Sequence, residues 1–479
     1  MRNNPKLTGL ANINHSLFAI SILALSLFSA CKNMPPQYNV VNKVWASYLH
    51  IDTSYPGPDP KKQLIVWLKP ATSDVDFKNW LDSVNDRIGT IKISNMCRDC
   101  NDSLFMITGP GAESYIQGQT AGGGSGCTGS RCGPSGDDGP VLYSINFDME
   151  FTDSNKDTLR YLYSVGPSYA RSAIPIGIFD TGVDPAAFST NYYSSSVNSC
   201  LIPGTANNGW NFVAQNNNWT DDYPSFHGTQ VTGFVVNQAK KFAQNSASIL
   251  PVKIHDKDGH AGLFNVLCAF AYASNRGVKI INASFGYYAA KPKLATSDPD
   301  SCALLIKAFV KKYTTDRNIL LIAAAGNSGN TYEDTAAAFQ GLDKRNLDDV
   351  AFYPASLGAN QDFKNVITVT TVDTTSGRVS PHQNYSANVV DIGVNADRVV
   401  QDTIFVFMKP GLQSGLISTV EGSSFATPIA TGIIAAHYFE IASLPADKTV
   451  IISTLSSLGL AQSVAAFRTK IKNGIIMYK

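Results

Sequence analysis

The sequence predicts an α/β protein: a mostly parallel sheet covered by helices on both faces, preceded by a small α+β module. Three observations carry that expectation. Past residue 165, runs such as "IPIGIFD", "ASILPVKI", "VKIINASF" and "NILLIAAAG" are almost continuously apolar, as strands buried on both faces are. Helical segments stand between them, and such alternation supplies the crossovers that parallel strands require. Upstream, residues 63–108 hold a shorter strand, helix, strand, strand pattern, set apart by the glycine-rich stretch 119–140.

In chain order, residues 1–30 place Arg2 and Lys6 before "LFAISILALSLFSAC", too short to span a membrane comfortably and therefore expected to be an export signal. Ser29 and Ala30 directly before Cys31 resemble a bacterial lipoprotein signal, with Phe28 where leucine is usual. That resemblance implies lipidation of Cys31 and an exported protein anchored to a bacterial membrane. Lys32 and Asn33 lack the aspartate of inner-membrane retention and point to the outer membrane or cell surface. Residues 31–62, with several prolines and polar residues, read as a tether. A module over 63–150 follows. Within it "QLIVWLK" is a strand, "DFKNWLDSVNDRI" a helix, "TIKISNM" and "SLFMITG" strands, 119–140 an exposed loop, and "VLYSINFDMEF" a further strand. The larger domain is expected over 165–479, with helices near 262–276 and 303–314 and a later strand at "NVITVTTV".

Lys and Arg total 38 against 37 Asp and Glu, so the net charge of +1 creates no broad field to gather a nucleic acid. Export permits disulfides. Cys97, Cys100, Cys127 and Cys132 form two close pairs that read as local disulfides stapling the glycine-rich loop, with a Cys-four zinc site as the alternative.

In a parallel sheet, ligands bind beyond the carboxyl ends of the strands. There the chain places Asp180 in "DTGVD", His227 in "HGTQVTG", Asn327 in "AAAGNSG" and Ser424 in "GSSFATPIATG". Each is unremarkable alone. Together, and in that order, the four segments resemble the subtilisin-like serine protease family over roughly residues 170–440. The resemblance implies a subtilisin-like fold and a serine endopeptidase acting on polypeptides. In it Ser424 is the nucleophile, His227 the general base, and Asp180 the residue orienting the histidine. Asn327 and the Ser424 backbone N–H would form the oxyanion hole. It further implies that Ser284, Phe285 and Gly286 of "INASFG" bind substrate by strand addition. Gly286 would leave room for a side chain entering the specificity pocket, with Phe352 at its base. A monomer is expected.

The module at 63–108 resembles the family's inhibitory prodomain in the order of its elements; a retained accessory domain is the alternative. No cofactor or metal is expected: calcium is possible, but "HDKDGH" (255–260) lacks the glutamate that would complete a calcium loop. Gln230 replaces a second histidine common in the family. Two rival functions are a binding protein on an inactive scaffold, and an esterase or peptide-joining enzyme that keeps the nucleophile.

Overall fold

The computed structural model describes residues 63–70, 72–89, 92–97, 104–109, 111, 135–138, 140–146, 148–150, 174–185, 188, 192–193, 208–242, 247–288, 303–327, 345–380, 382–396, 422–438 and 446–478. The export signal, the tether, Cys31, Cys100, Cys127, Cys132 and most of 119–140 lie outside these residues.

The N-terminal module is an antiparallel sheet with one helix. Its elements are β1 (Gln63–Leu68), α1 (Asp74–Ile88), β2 (Lys92–Cys97), β3 (Leu104–Thr108), β4 (Ser135–Asp138) and β5 (Val141–Ile145), with sheet order β2-β3-β1-β5-β4. Helix α1 starts where Ser73 Oγ accepts from Asp76 N (3.1 Å) and stops at Gly89, whose φ of 82° few other residues adopt. Two expectations need correction. β4 lies inside the stretch read as an exposed loop, because its backbone pairs with β5 whatever its side chains are. "VLYSINFDMEF" is not one strand: after β5 the chain leaves the sheet, and β6 (Asp148–Glu150) pairs antiparallel with β10 (His260–Gly262) of the larger domain. Asn146 makes the turning point, donating to Gln63 Oε1 (2.6 Å) and accepting from Phe264 N (3.3 Å).

The larger domain runs β7 (Ile174–Asp180), β8 (Trp210–Asn211), α2 (His227–Phe242), β9 (Ala247–Lys253), β10, α3 (Leu263–Asn275), β11 (Ile280–Ala283), β12 (Tyr287–Tyr288) and α4 (Leu304–Tyr313). It continues through β13 (Leu320–Ala324), β14 (Phe352–Tyr353), β15 (Val366–Asp373), β16 (Arg378–Val379), β17 (Ile392–Val394), α5 (Ser423–Ala436), α6 (Lys448–Ser457), β18 (Ala461–Ser463) and β19 (Ile475–Met477). The sheet order is β18-β19-β17-β15-β13-β11-β7-β9-β8, parallel along this path except for β18 against β19, with β16 pairing antiparallel to β15 beside it. This is the predicted α/β architecture, and the helices expected near 262–276 and 303–314 are α3 and α4.

Alternate strand residues serve opposite layers. Ile174, Ile176 and Ile178 of β7 pack with Val231 and Phe234 of α2, Ile429 and Ile433 of α5 and Leu455 of α6. Phe179 turns to the other face and meets Phe270 of α3, ring centroids 5.2 Å apart. On that second face the N-terminal module docks: Trp67 of β1 packs edge-on against Phe309 of α4 at 5.3 Å. The parallel register sets Ala283 level with Phe179 and with Ala323. Asp180, Ser284 and the turn leading to Asn327 therefore emerge at the same end of the sheet. Among the described residues, no helix is long and apolar enough to cross a membrane.

Candidate active site

Asp180 closes β7 and His227 opens α2, and the two meet: Asp180 Oδ1 lies 2.8 Å from His227 Nδ1 and also accepts from Thr181 N at 2.8 Å. Both are only 1% exposed, so the pair sits where solvent screens it little. The approach is close because residue 228 is glycine. A Cβ there would collide with Gly182 O and come within 3.0 Å of Asp180 Cβ.

Three further polar residues surround this pair: Asp221 and Lys253, which sequence reasoning did not single out, and His255, read there only as part of "HDKDGH". Buried Asp221 accepts from Thr181 Oγ1 (2.9 Å), Thr229 N (2.9 Å), Thr229 Oγ1 (2.8 Å) and Tyr223 N (3.2 Å). Thr181 Oγ1 in turn accepts from Gly228 N (2.9 Å), so one carboxylate ties the turn after Asp180 to the first turn holding His227. Burial pushes the Asp221 carboxyl up to about 6, against the opposing pull of the Thr229 hydrogen bonds. Lys253, level with Asp180 on β9, is buried and donates to Thr181 O and Asp222 Oδ1 (the latter 2.7 Å). His255, two residues on, packs edge-on against Phe285 at 5.8 Å; burial lowers its pKa to about 4. Asp180 opposes that shift, while His227 and Lys253 add to it. The only sequence cue to Asp221 is an acidic residue six before the histidine, and isolated charges of that kind are usually solvated.

Ser424 is the second residue of α5, 8% exposed, placed in the first turn before the helix ladder of N–H bonds begins at Phe425 N and Ala426 N, which both donate to Gly422 O. Gly422 precedes the helix at φ 127°, a backbone shape that favours glycine. Phe425 sets its ring 5.1 Å from that of His227, bringing the starts of α2 and α5 together. The Ser424 hydroxyl donates to Ser284 O (3.1 Å), and Ser284 Oγ donates to Ser424 O (2.9 Å). The second bond has a local cause: Pro428, four residues on, has no N–H to offer that carbonyl, and Ser284 supplies the missing donor. Asn282 Nδ2 donates to Ser284 Oγ (2.9 Å), and Thr431 Oγ1 donates to Asn282 Oδ1 (2.9 Å), which anchors the chain of bonds in the helix.

Asn327 follows β13, and its Oδ1 accepts from Ser423 N (3.0 Å) and Ser423 Oγ (2.8 Å). Gln383 Oε1 also accepts from Ser423 N, at 2.7 Å. The whole Asn327 amide lies against Gly422, where a Cβ would come within 3.2 Å of Nδ2 and 3.4 Å of Oδ1.

Other residues read from the sequence lie as follows. A Cβ at Gly286 would collide with the Phe352 ring and with Tyr353 O. Gln230 Nε2 donates to Ser225 O (2.6 Å), bracing the loop before His227 and making no change at the Asp180 contact. In "HDKDGH" the Asp256 Oδ1 accepts from Asp258 N and His260 N, both 2.9 Å, so that oxygen serves its own turn. Among the described residues no group of three His, Cys, Asp or Glu is arranged to hold a metal ion, and no disulfide is formed.

Comparison with known proteins gives these relations. The chain is 33% identical over 116 residues to a cell wall-associated protease of Bacillus subtilis, covering 23% of this chain and 12% of that one. It is 28% identical over 165 residues to thermitase of Thermoactinomyces vulgaris, covering 33% and 50%. With a thermophilic serine proteinase of Bacillus sp. (strain AK1) the identity is 24% over 278 residues, covering 57% and 52%. The chain thus spans about half the length, or less, of these relatives. Among solved structures, a cold adapted subtilisin-like serine proteinase is similar at 16% identity and TM-score 0.42, covering 67% of this chain and 96% of that one. A lanthipeptide protease is similar at 19% and 0.43, covering 64% and 85%. The family model described as the subtilase family matches residues 171–461. That span is more than half of the chain and holds Asp180, His227, Asn327 and Ser424 in their strand-end and helix-start settings; the chain belongs to the subtilase family.

Proposed function

We propose that the protein is a serine endopeptidase that hydrolyses peptide bonds through an acyl-enzyme. The observation that carries this reading is the 2.8 Å contact of His227 Nδ1 with Asp180, in a dry setting against the first turn of α5. A serine hydroxyl is a weak nucleophile at neutral pH, so His227 takes the Ser424 proton through Nε2 as the oxygen attacks the carbonyl. Asp180 holds the imidazole with its proton on Nδ1 and stabilises the imidazolium. The developing oxyanion is met by Asn327 Nδ2 and Ser424 N, donors held in place before the reaction begins. His227 then passes its proton to the leaving amine, the acyl-enzyme forms, and water repeats the sequence in reverse. Ser284, Phe285 and Gly286, at the end of β11, receive the peptide backbone as an added strand.

The test is labelling with a fluorophosphonate probe together with casein cleavage, comparing the full chain with Ser424→Ala. Both signals are expected in the first and neither in the second; labelling that persists in Ser424→Ala refutes the nucleophile.

Residues 63–150 act in this reading as a prodomain-like inhibitory module, supported by the pairing of β6 with β10. N-terminal sequencing after incubation checks it: a new N-terminus is expected in the active chain and not in Ser424→Ala. Export and lipid anchoring at Cys31 complete the reading, in keeping with a relative named for the cell wall. Radiolabelled palmitate should enter the protein but not a Cys31→Ala variant.

A further inference from the structure

We propose that Phe352 closes the side-chain pocket beside Ser424, so that the protein cleaves after glycine, alanine or serine and rejects aromatic and long aliphatic residues. This rests on the endopeptidase reading and names its substrate class.

Two glycines border the space in question. Gly286 lies two residues after Ser284, which exchanges hydrogen bonds with Ser424. Gly326 directly precedes Asn327. An acyl group with its carbon at Ser424 Oγ and its oxygen at Asn327 Nδ2 sends its side chain between these two segments. Bare backbone on both sides would leave a slot there.

The Phe352 ring occupies that slot. Its Cζ lies 2.5 Å from the Cβ position of Gly286, and Cε1 and Cζ both lie 2.9 Å from that of Gly326. One ring edge thus abuts both walls, and a side chain larger than a methyl or hydroxymethyl group would need the same volume. The ring is well held. Phe352 of β14 pairs with Tyr288 of β12, their rings meet edge to face at 4.8 Å, and Phe352 N donates to Ser356 Oγ (2.9 Å). Tyr288 is itself fixed by Asn384, whose Nδ2 donates to the Tyr288 hydroxyl at 2.6 Å. Phe352 is 7% exposed, so moving its ring disturbs packed neighbours.

A change of one methylene in a pocket typically shifts kcat/KM by about 10–200-fold. A phenyl ring that does not fit should therefore cost at least about 100-fold against alanine.

The experiment uses the full chain and a set of peptide p-nitroanilides identical except for Ala, Leu or Phe at the residue bearing the scissile carbonyl. Active sites are counted with the fluorophosphonate probe. Wild type is expected to favour Ala over Phe by about 100-fold or more. Phe352→Gly should raise the ratio of kcat/KM for the Phe substrate to that for the Ala substrate at least about tenfold, with Phe352→Leu intermediate. A purely structural role would lower all substrates together. Labelled wild type that cleaves Phe and Leu as readily as Ala overturns the proposal and leaves the endopeptidase reading intact. Absence of both labelling and cleavage overturns the endopeptidase reading, and this proposal with it. If a variant proves unfolded by circular dichroism, the wild-type ranking alone decides.

Discussion

Asp221 and His255 are buried beside the Asp180 and His227 pair, and their protonation should act on stability in opposite directions across the same pH range. The Asp221 carboxyl has an ordinary value of 3.8 and is pushed up to about 6, chiefly by burial. Between those values the folded protein binds a proton that the unfolded chain does not. This contribution is fully present below pH 3.8 and is lost as pH rises through about 6. His255 falls from 6.5 to about 4, again chiefly by burial, so its contribution is present above pH 6.5 and lost as pH falls through about 4. Each displacement of about two units corresponds to about 3 kcal/mol, and in the intact protein the two slopes largely offset each other. Substituting one group exposes the other. The assay is the urea-unfolding midpoint followed by tryptophan fluorescence from pH 4 to 7, in the Ser424→Ala background to prevent self-digestion. In Asp221→Asn, one face of the amide must meet a backbone donor, Thr229 N or Tyr223 N, costing about 1–3 kcal/mol. That variant should start below the parent at pH 4 and gain about 3 kcal/mol on it by pH 6.5. His255→Leu should lose about 3 kcal/mol relative to the parent over the same interval. Differences from the parent that stay flat with pH in both variants would refute the reasoning.

Three further outcomes are expected. Asn327→Ala should lower kcat by about 10²–10³-fold with KM within about twofold, read by steady-state peptide hydrolysis, because in the proposed mechanism the donor it removes acts on the developing oxyanion. Gly228→Ala should abolish peptide hydrolysis and lower the thermal midpoint, since the new Cβ collides with Gly182 O and presses on Asp180. Lys448 donates to Asp391 Oδ2 (2.9 Å) and Gly358 O (2.6 Å), holding α6 to the rest of the fold. Lys448→Met strands a buried carboxylate and should cost about 3–5 kcal/mol in urea unfolding, much of it regained by adding Asp391→Asn.

The parallel sheet was legible because a run such as Ile174–Phe179 has to be apolar on both faces, and local composition records that. β4 was not, since Ser135–Asp138 contribute backbone pairing while their composition signals a turn. The break between β5 and β6 was hidden for a different reason: the pattern of residues 141–151 is compatible with a single strand, and only docking of the module diverts it. At the site, Asp180 and His227 were unremarkable singly and were picked out by four segments occurring together in a family's order, and the structure brings the two side chains together. Asp221 and Lys253 carry no local mark, and His255 was read only as part of "HDKDGH", because a charged residue announces itself only once its burial is known. Phe352 was placed at the pocket base, but that its ring fills the space over Gly286 depends on how β12 and β14 pair.

The bond from Ser284 Oγ to Ser424 O makes positions 284 and 428 a coupled pair although they are far apart in the chain. The hydroxyl is needed there because proline at 428 withholds a donor. An ordinary residue at 428 would cap the carbonyl from within the helix and relieve position 284 of that duty. Substitutions at the two sites should therefore be epistatic: loss of the serine costs more while the proline remains than once it is gone, the remaining cost being the buried Asn282 amide left without its acceptor. Related chains that drift at one of these positions would then be expected to drift at the other.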